Sequence, residues 1–248
     1  MADIYVYGPI GQAWDDTAMT AHRFAYLMQE AGGEDVTVHI NSGGGDVFDA
    51  NAMAETIRAY KGHVTASIEG LAASAASYFA LTADIVLMNP SALLMVHNPW
   101  GYCQGTAGDM RSTADMLDKV RETIVGQYVS KTGMDADEVR DLMDAETWLD
   151  AEGAVERGFA DGLTPDAQPI AACVSDKLLA AYKNSPSDLK AAVVEPPRAT
   201  EKPVGDGGQI IDSSASDTTP EGAEGANVGA TVRVECINGM FIRTKEQK

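Results

Sequence analysis

The chain has 248 residues, enough to bury a sizeable core, and carries 18 Lys+Arg against 37 Asp+Glu for a formal net charge of −19. That balance excludes a phosphate-backbone partner, which needs clustered cationic side chains, and a bare acidic membrane surface. Hydrophobic residues make up 45%, yet no stretch reaches the roughly 18 to 20 unbroken apolar residues of a membrane span, so a soluble protein is expected.

Residues 1–8 read as a strand, with no basic segment leading into an apolar one, so no secretory leader is expected. Cys103, Cys173 and Cys236 are odd in number and lack CxxC spacing. They indicate a reducing, cytoplasmic compartment and argue against a disulfide framework or a zinc site.

In chain order, residues 4–7 are strand-like, and residues 16–30 place Ala21, Phe24, Leu27 and Met28 at helical spacings. A strand over 36–40, a helix over 46–60 and a strand over 64–68 continue the rhythm. They are followed by a small-residue helix over 73–81 and strands over 84–88 and 93–97. A long helix over 106–131, a short one over 135–143 and a last one over 151–157 complete the front domain, residues 1–164. Alternating strands and helices of this kind predict an α/β fold, a parallel sheet covered by helices.

Beyond about residue 164 the periodicity fades. A connecting helix is expected within 165–183. A flexible linker rich in Gly, Pro, Ser and acid spans 184–230, because such composition buries too little apolar surface to offset the entropy of ordering. A small hairpin around Asn238-Gly239 is expected within 231–248, and an isolated hairpin would need to dock on something. The acid is uneven: residues 1–163 hold 9 Lys+Arg and 25 Asp+Glu, net −16, and the rest hold 9 and 12, net −3.

Three features could carry chemistry. His22, His39 and His63 read as structural or solvent-facing, whereas His97 closes the apolar run 92–96 just before Asn98-Pro99, where a buried strand would deliver it to an open edge. Gly70-Leu-Ala-Ala-Ser-Ala-Ala-Ser77 follows a strand and puts Ser74 in the first turn of a helix, as a nucleophile or as a small residue for close packing. It is not the GxSxG pattern, because Ala72 and Ala76 stand at the flanking positions. Ile40-Asn-Ser-Gly-Gly-Gly-Asp46 sets three glycines between a strand and a helix, presenting bare N–H groups to a phosphate or an oxyanion. Neither a Walker loop nor GxGxxG is matched.

INSGGG, then GLAAS about thirty residues on, then MVHNP about twenty further, resembles the Clp protease proteolytic subunit family, with its INSPGG, G-x-A-A-S and M-I-H-x-P segments in that order. The likeness runs over about residues 4–163. It implies a spiral of ββα units, a serine peptidase with Ser74 as nucleophile and His97 as base, and an oxyanion hole made by the amides of Gly45 and Ala75. Aligning Thr147 to Asp161 with the family's R-F-L-S-A-x-E-A segment implies Glu146 as the acid, with Asp144 as second choice. No metal or cofactor is required.

The resemblance also implies polypeptide substrates and a ring-forming homo-oligomer joined through the long handle helix, whose Met110, Met116, Leu117, Val120, Ile124 and Val125 exceed one core face. Gly43 in place of the family's proline, with Gly-Gly-Gly-Asp-Val-Phe-Asp and Glu-Thr-Trp, resembles the phage branch, the head maturation proteases that trim scaffold and capsid proteins. A start at the first strand puts coupling to an unfolding ATPase in doubt. Two alternatives stand beside this reading: a proteolytically silent assembly or scaffolding protein of the same fold, and a crotonase-like acyl-CoA enzyme.

Overall fold

A computed structural model describes residues 1–11, 17–165, 182–186, 233–237 and 240–244. The chain forms two compact units, Met1–Glu195 and Pro196–Lys248. The first runs β1 (Ala2–Tyr7), α1 (Ala21–Glu30), β2 (Val36–Ser42), α2 (Val47–Arg58), β3 (Val64–Ala73), α3 (Ala75–Ala80), β4 (Ile85–Met88), β5 (Leu93–Val96), α4 (Ala107–Thr132), α5 (Ala136–Asp144), β6 (Thr147–Asp150), α6 (Ala151–Glu156) and β7 (Gly162–Leu163).

Local chemistry sets these boundaries. Every second residue of β2 is buried, from Val36 to Ser42, as a period-two strand requires. Thr20, Asp46, Asp135 and Asp150 each accept a backbone N–H at a helix start, and Thr106 with Asp109 forms a reciprocal capping box on α4. Gly133 closes α4 at φ 72°, in the left-handed region.

β1, β2, β3, β4 and β7 lie side by side in parallel. The ten-residue β3 changes partner along its length: Thr65–Ile68 pair with β4, and Leu71–Ala73 pair with β5. β6 then adds to β5 in antiparallel fashion. The sheet therefore splits beyond Ile68, and the ends of β3 and β5 converge on one edge. Helices pack the other surface of the core, where Phe24 meets Phe79 edge-on with centroids 5.2 Å apart and Val38, Ile40, Ile68, Met88 and Phe159 are fully buried.

The structure changes several expected elements: α1 begins at Ala21 with residues 17–20 outside it, β3 runs five residues past 68, and β6 is a strand where none was expected. Residue 73 does not open a helix: β3 continues through Ala73, and α3 begins only at Ala75. Ala72 and Ala73 favour a helix by intrinsic propensity, which tertiary pairing can override. Pairing with β2 on one side and β5 on the other decides the matter. Ser74 therefore stands before the helix, not within its first turn.

α4, about 39 Å long at 1.5 Å per residue, buries only Ile124, Val125 and Tyr128, all in its C-terminal half. Ile124 and Val125 thus serve the core of their own domain, while Met110 and Met116 remain exposed. In the second unit β8 (Arg233–Ile237) and β9 (Met240–Thr244) pair antiparallel, with Ile237 opposite Met240. The Asn238-Gly239 turn, residues 166–181 of the connecting helix expected within 165–183, and nearly all of the expected linker lie outside the described residues. No helix among the described residues is long and apolar enough to cross a membrane.

Candidate active site

Ser74 joins β3 to α3 at φ 56° and ψ −126°, a conformation rare for a residue with a Cβ. Four hydrogen bonds hold it there. Its N–H donates to the Met95 carbonyl (3.0 Å). Its own carbonyl accepts from Ser77 N–H (3.0 Å), Tyr78 N–H (3.2 Å) and Ser77 Oγ–H (2.7 Å). Ser77 Oγ also hydrogen-bonds the hydroxyl of the fully buried Tyr128 at 2.8 Å, tying the turn to α4. Over-determination by neighbours is what lets such a strained residue persist.

The Ser74 side chain does not cap α3. Its Oγ lies 2.7 Å from His97 Nε2 instead. β5 delivers that imidazole: Leu94, Met95 and Val96 are fully buried and His97 emerges at the strand's end. Burial pushes the His97 pKa below the ordinary 6.5, the charge of Glu146 opposes this, and that of Lys183 adds to it. The net result is an imidazole neutral at pH 7. With its proton on Nδ1, Nε2 is free to accept from a hydroxyl.

The glycine loop lies directly against this pair. Gly44 sits at φ 84°, and a Cβ there would fall 2.5 Å from the Ala73 carbonyl oxygen, 2.8 Å from the Ala75 nitrogen and 2.9 Å from Ser74 Cβ. Ile10 fastens the loop from behind, donating to Gly44 O and accepting from Asp46 N–H, each at 2.9 Å. The N–H groups of Gly45 and Ala75 donate to no protein acceptor among the described residues.

The two candidate acids part company. Asp144 Oδ1 accepts from Arg121 (2.6 Å) and from Asn98 Nδ2 (2.7 Å), which commits it to α4 and to the chain after His97. Glu146, at φ 50°, makes no hydrogen bond to His97, though its charge raises the imidazole's proton affinity. Its Oε1 accepts from Asn184 N–H (2.7 Å) and its Oε2 from Lys183 N–H (3.1 Å). The structure thus brings Ser74, His97 and the glycine loop together, and puts Glu146 beside them with its oxygens turned to residues 183 and 184.

In front of Ser74 opens a cleft of about 870 Å³ lined by the glycine loop, His97, Phe48, Trp100 and Tyr102. Phe48, Trp100 and Tyr102 are exposed, so the cleft has an apolar lip. Three participants escape the sequence reading. Ser77 and Gly44 were within view, one helical turn beyond Ser74 and inside the glycine run, but only the folded chain shows what they touch. Tyr182 lies in a weakly patterned stretch that carries no signal at all.

Residues 2–166 match the family model for Clp protease. The chain belongs to the Clp protease family. Among its relatives, the ATP-dependent Clp protease proteolytic subunit 1 of Chlamydia muridarum is 32% identical over 142 residues, covering 56% of this chain and 74% of that protein. The protein of the same name from Prochlorococcus marinus is 30% identical over 161 residues, 62% of this chain and 82% of the other. Ser74, His97, Glu146 and the glycine loop all fall inside the Clp protease match, whereas Tyr182, Lys183 and Asn184 lie beyond it.

Proposed function

We propose that this Clp protease is a serine-type endopeptidase in which Ser74, His97 and Glu146 form the triad. Ser74 Oγ attacks the substrate carbonyl carbon as its proton passes to His97 Nε2. The N–H groups of Gly45 and Ala75 receive the negative charge that develops on the carbonyl oxygen. His97 then hands the proton to the departing amine, and water, activated by the same imidazole, releases the acyl group from Ser74.

The observation that carries this reading is the 2.7 Å approach of His97 Nε2 to Ser74 Oγ, on a serine whose backbone is strained and whose side chain does no capping. Among the described residues no Lys or Arg lines the cleft, which tells against an acyl-CoA ligand with its phosphates.

The test is covalent. A fluorophosphonate probe is expected to form one adduct, placed on Ser74 by peptide mass spectrometry. Because burial favours neutral imidazole, the labelling rate is expected to fall toward acid pH with a midpoint below the ordinary 6.5, as His97 takes up a proton. A label on another residue, or a midpoint above pH 7, rejects the assignment. A chain that never labels is the silent assembly protein.

The finer reading is a phage prohead protease that trims scaffold or capsid proteins, supported by Gly43 in place of the family's proline and by the Glu146-Thr-Trp148 segment. The working form is proposed to be a homo-oligomeric ring joined through the open N-terminal half of α4. Met110 is 52% exposed there, so Met110→Glu is expected to lower the molar mass measured by light scattering. A wild type that is monomeric and fully active removes the ring.

A further inference from the structure

We propose that Tyr182, Lys183 and Asn184 form a strap that positions the acid, the base and the glycine loop of the site. The inference rests on the serine peptidase reading and concerns residues that lie beyond the Clp protease match.

Three attachments define the strap. Tyr182 is 8% exposed and packs with Leu71, Ala73 and Met95, the strand ends that flank Ser74 and His97. Its ring meets His97 and Trp148 edge-on, each with centroids 5.6 Å apart, and its hydroxyl donates to the Gly43 carbonyl. The next two N–H groups clamp Glu146, one on each carboxylate oxygen, and Asn184 Nδ2 donates to the Ala145 carbonyl at 2.8 Å. One short segment therefore touches the acid, the base and the glycine loop.

Each part needs an outside hold. Glu146 is a non-glycine residue in the left-handed region, a conformation that persists only when its surroundings fix it. Two consecutive N–H groups on the two oxygens of a carboxylate fix its position and the direction its oxygens face. Lone pairs remain on that carboxylate to accept Nδ1–H as His97 becomes cationic. The near-perpendicular Tyr182 ring restrains the imidazole plane, and its hydroxyl restrains the loop that carries Gly45.

A blocking role fits less well. With the strap seated, the Ser74–His97 hydrogen bond is intact at 2.7 Å and the cleft before Ser74 stays open, with Tyr182 in its wall. An inhibitory segment would break the one or fill the other.

The experiment uses the full chain and a fluorophosphonate probe, separating the maximal labelling rate from the probe concentration at half-maximal rate. Asn184→Pro deletes the N–H on Glu146, and Tyr182→Ala removes the anchor. Both are expected to lower the maximal rate about ten- to a hundredfold, the cost of slightly misplaced groups, with the half-maximal concentration within twofold of wild type. Asn184→Ala keeps the N–H and is expected to fall between wild type and Asn184→Pro. Should one variant fail to fold by circular dichroism, the other carries the same readout. Labelling at the wild-type rate or faster in the folded variants overturns the strap and leaves the peptidase reading standing. A wild type that does not label Ser74 overturns both.

Discussion

Alanine at His97 is expected to slow fluorophosphonate labelling of Ser74 and hydrolysis of a fluorogenic peptide by about 10⁴- to 10⁶-fold, with the far-ultraviolet circular dichroism unchanged. The hydroxyl of an isolated serine is a weak nucleophile at neutral pH, and its rate comes from the acceptor 2.7 Å away at His97 Nε2. Ser74→Ala is expected to cost as much in hydrolysis and to take no label at all. Members of a catalytic unit fail together, so the double variant is expected to be no slower than either single one. Losses that add, instead of saturating, would mean that serine and imidazole act in separate steps. The fold should tolerate both changes. Ser74 contributes no cap to α3, and the His97 ring lines the open cleft, so its removal leaves no sealed cavity.

Much of this site could be read from the chain before folding. His97 follows a run of buried apolar residues and precedes a proline, which marks a strand end. Ser74 follows a strand in a small-residue segment, and the glycine run stands at a strand-to-helix turn. What could not be read depends on contacts between distant segments. Ala72 and Ala73 favour a helix by propensity, and pairing with β5, twenty residues on, overrides that preference. The strain at Ser74 exists because Met95 and Ser77 hold its backbone from two sides. Asp144 and Glu146 are two residues apart and chemically alike. Contacts from distant segments set them apart: Arg121 on α4 and Asn98 take up Asp144, and residues 183 and 184 take up Glu146. Tyr182 is the extreme case, since a side chain packed across 139 residues of sequence onto Gly43 leaves no local pattern.

Gly44 is where the fold and the chemistry share one constraint, and Gly44→Ala is expected to damage both. The residue sits at φ 84°, where an L side chain costs about 1–2 kcal/mol. The new methyl would also stand 2.5 Å from the Ala73 carbonyl oxygen and 2.8 Å from the Ala75 nitrogen. Both are backbone atoms of the turn that strains Ser74, so neither can swing aside as a flexible side chain would. Relief requires the loop and the turn to part by roughly 0.5–1 Å, a displacement that costs on the order of a hundredfold in rate. Together the two effects are expected to lower stability by about 3–5 kcal/mol, or roughly 10–15 °C in melting temperature. Gly33 supplies the comparison. It holds a similar φ of 89° with nothing within 4 Å of its missing Cβ, so Gly33→Ala isolates the conformational cost, about 1–2 kcal/mol. Thermal melting and fluorophosphonate labelling of the two variants side by side then separate strain from contact. If Gly44→Ala melts and labels as Gly33→Ala does, the glycine loop does not bear on the nucleophile, and the oxyanion role assigned to Gly45 loses its footing.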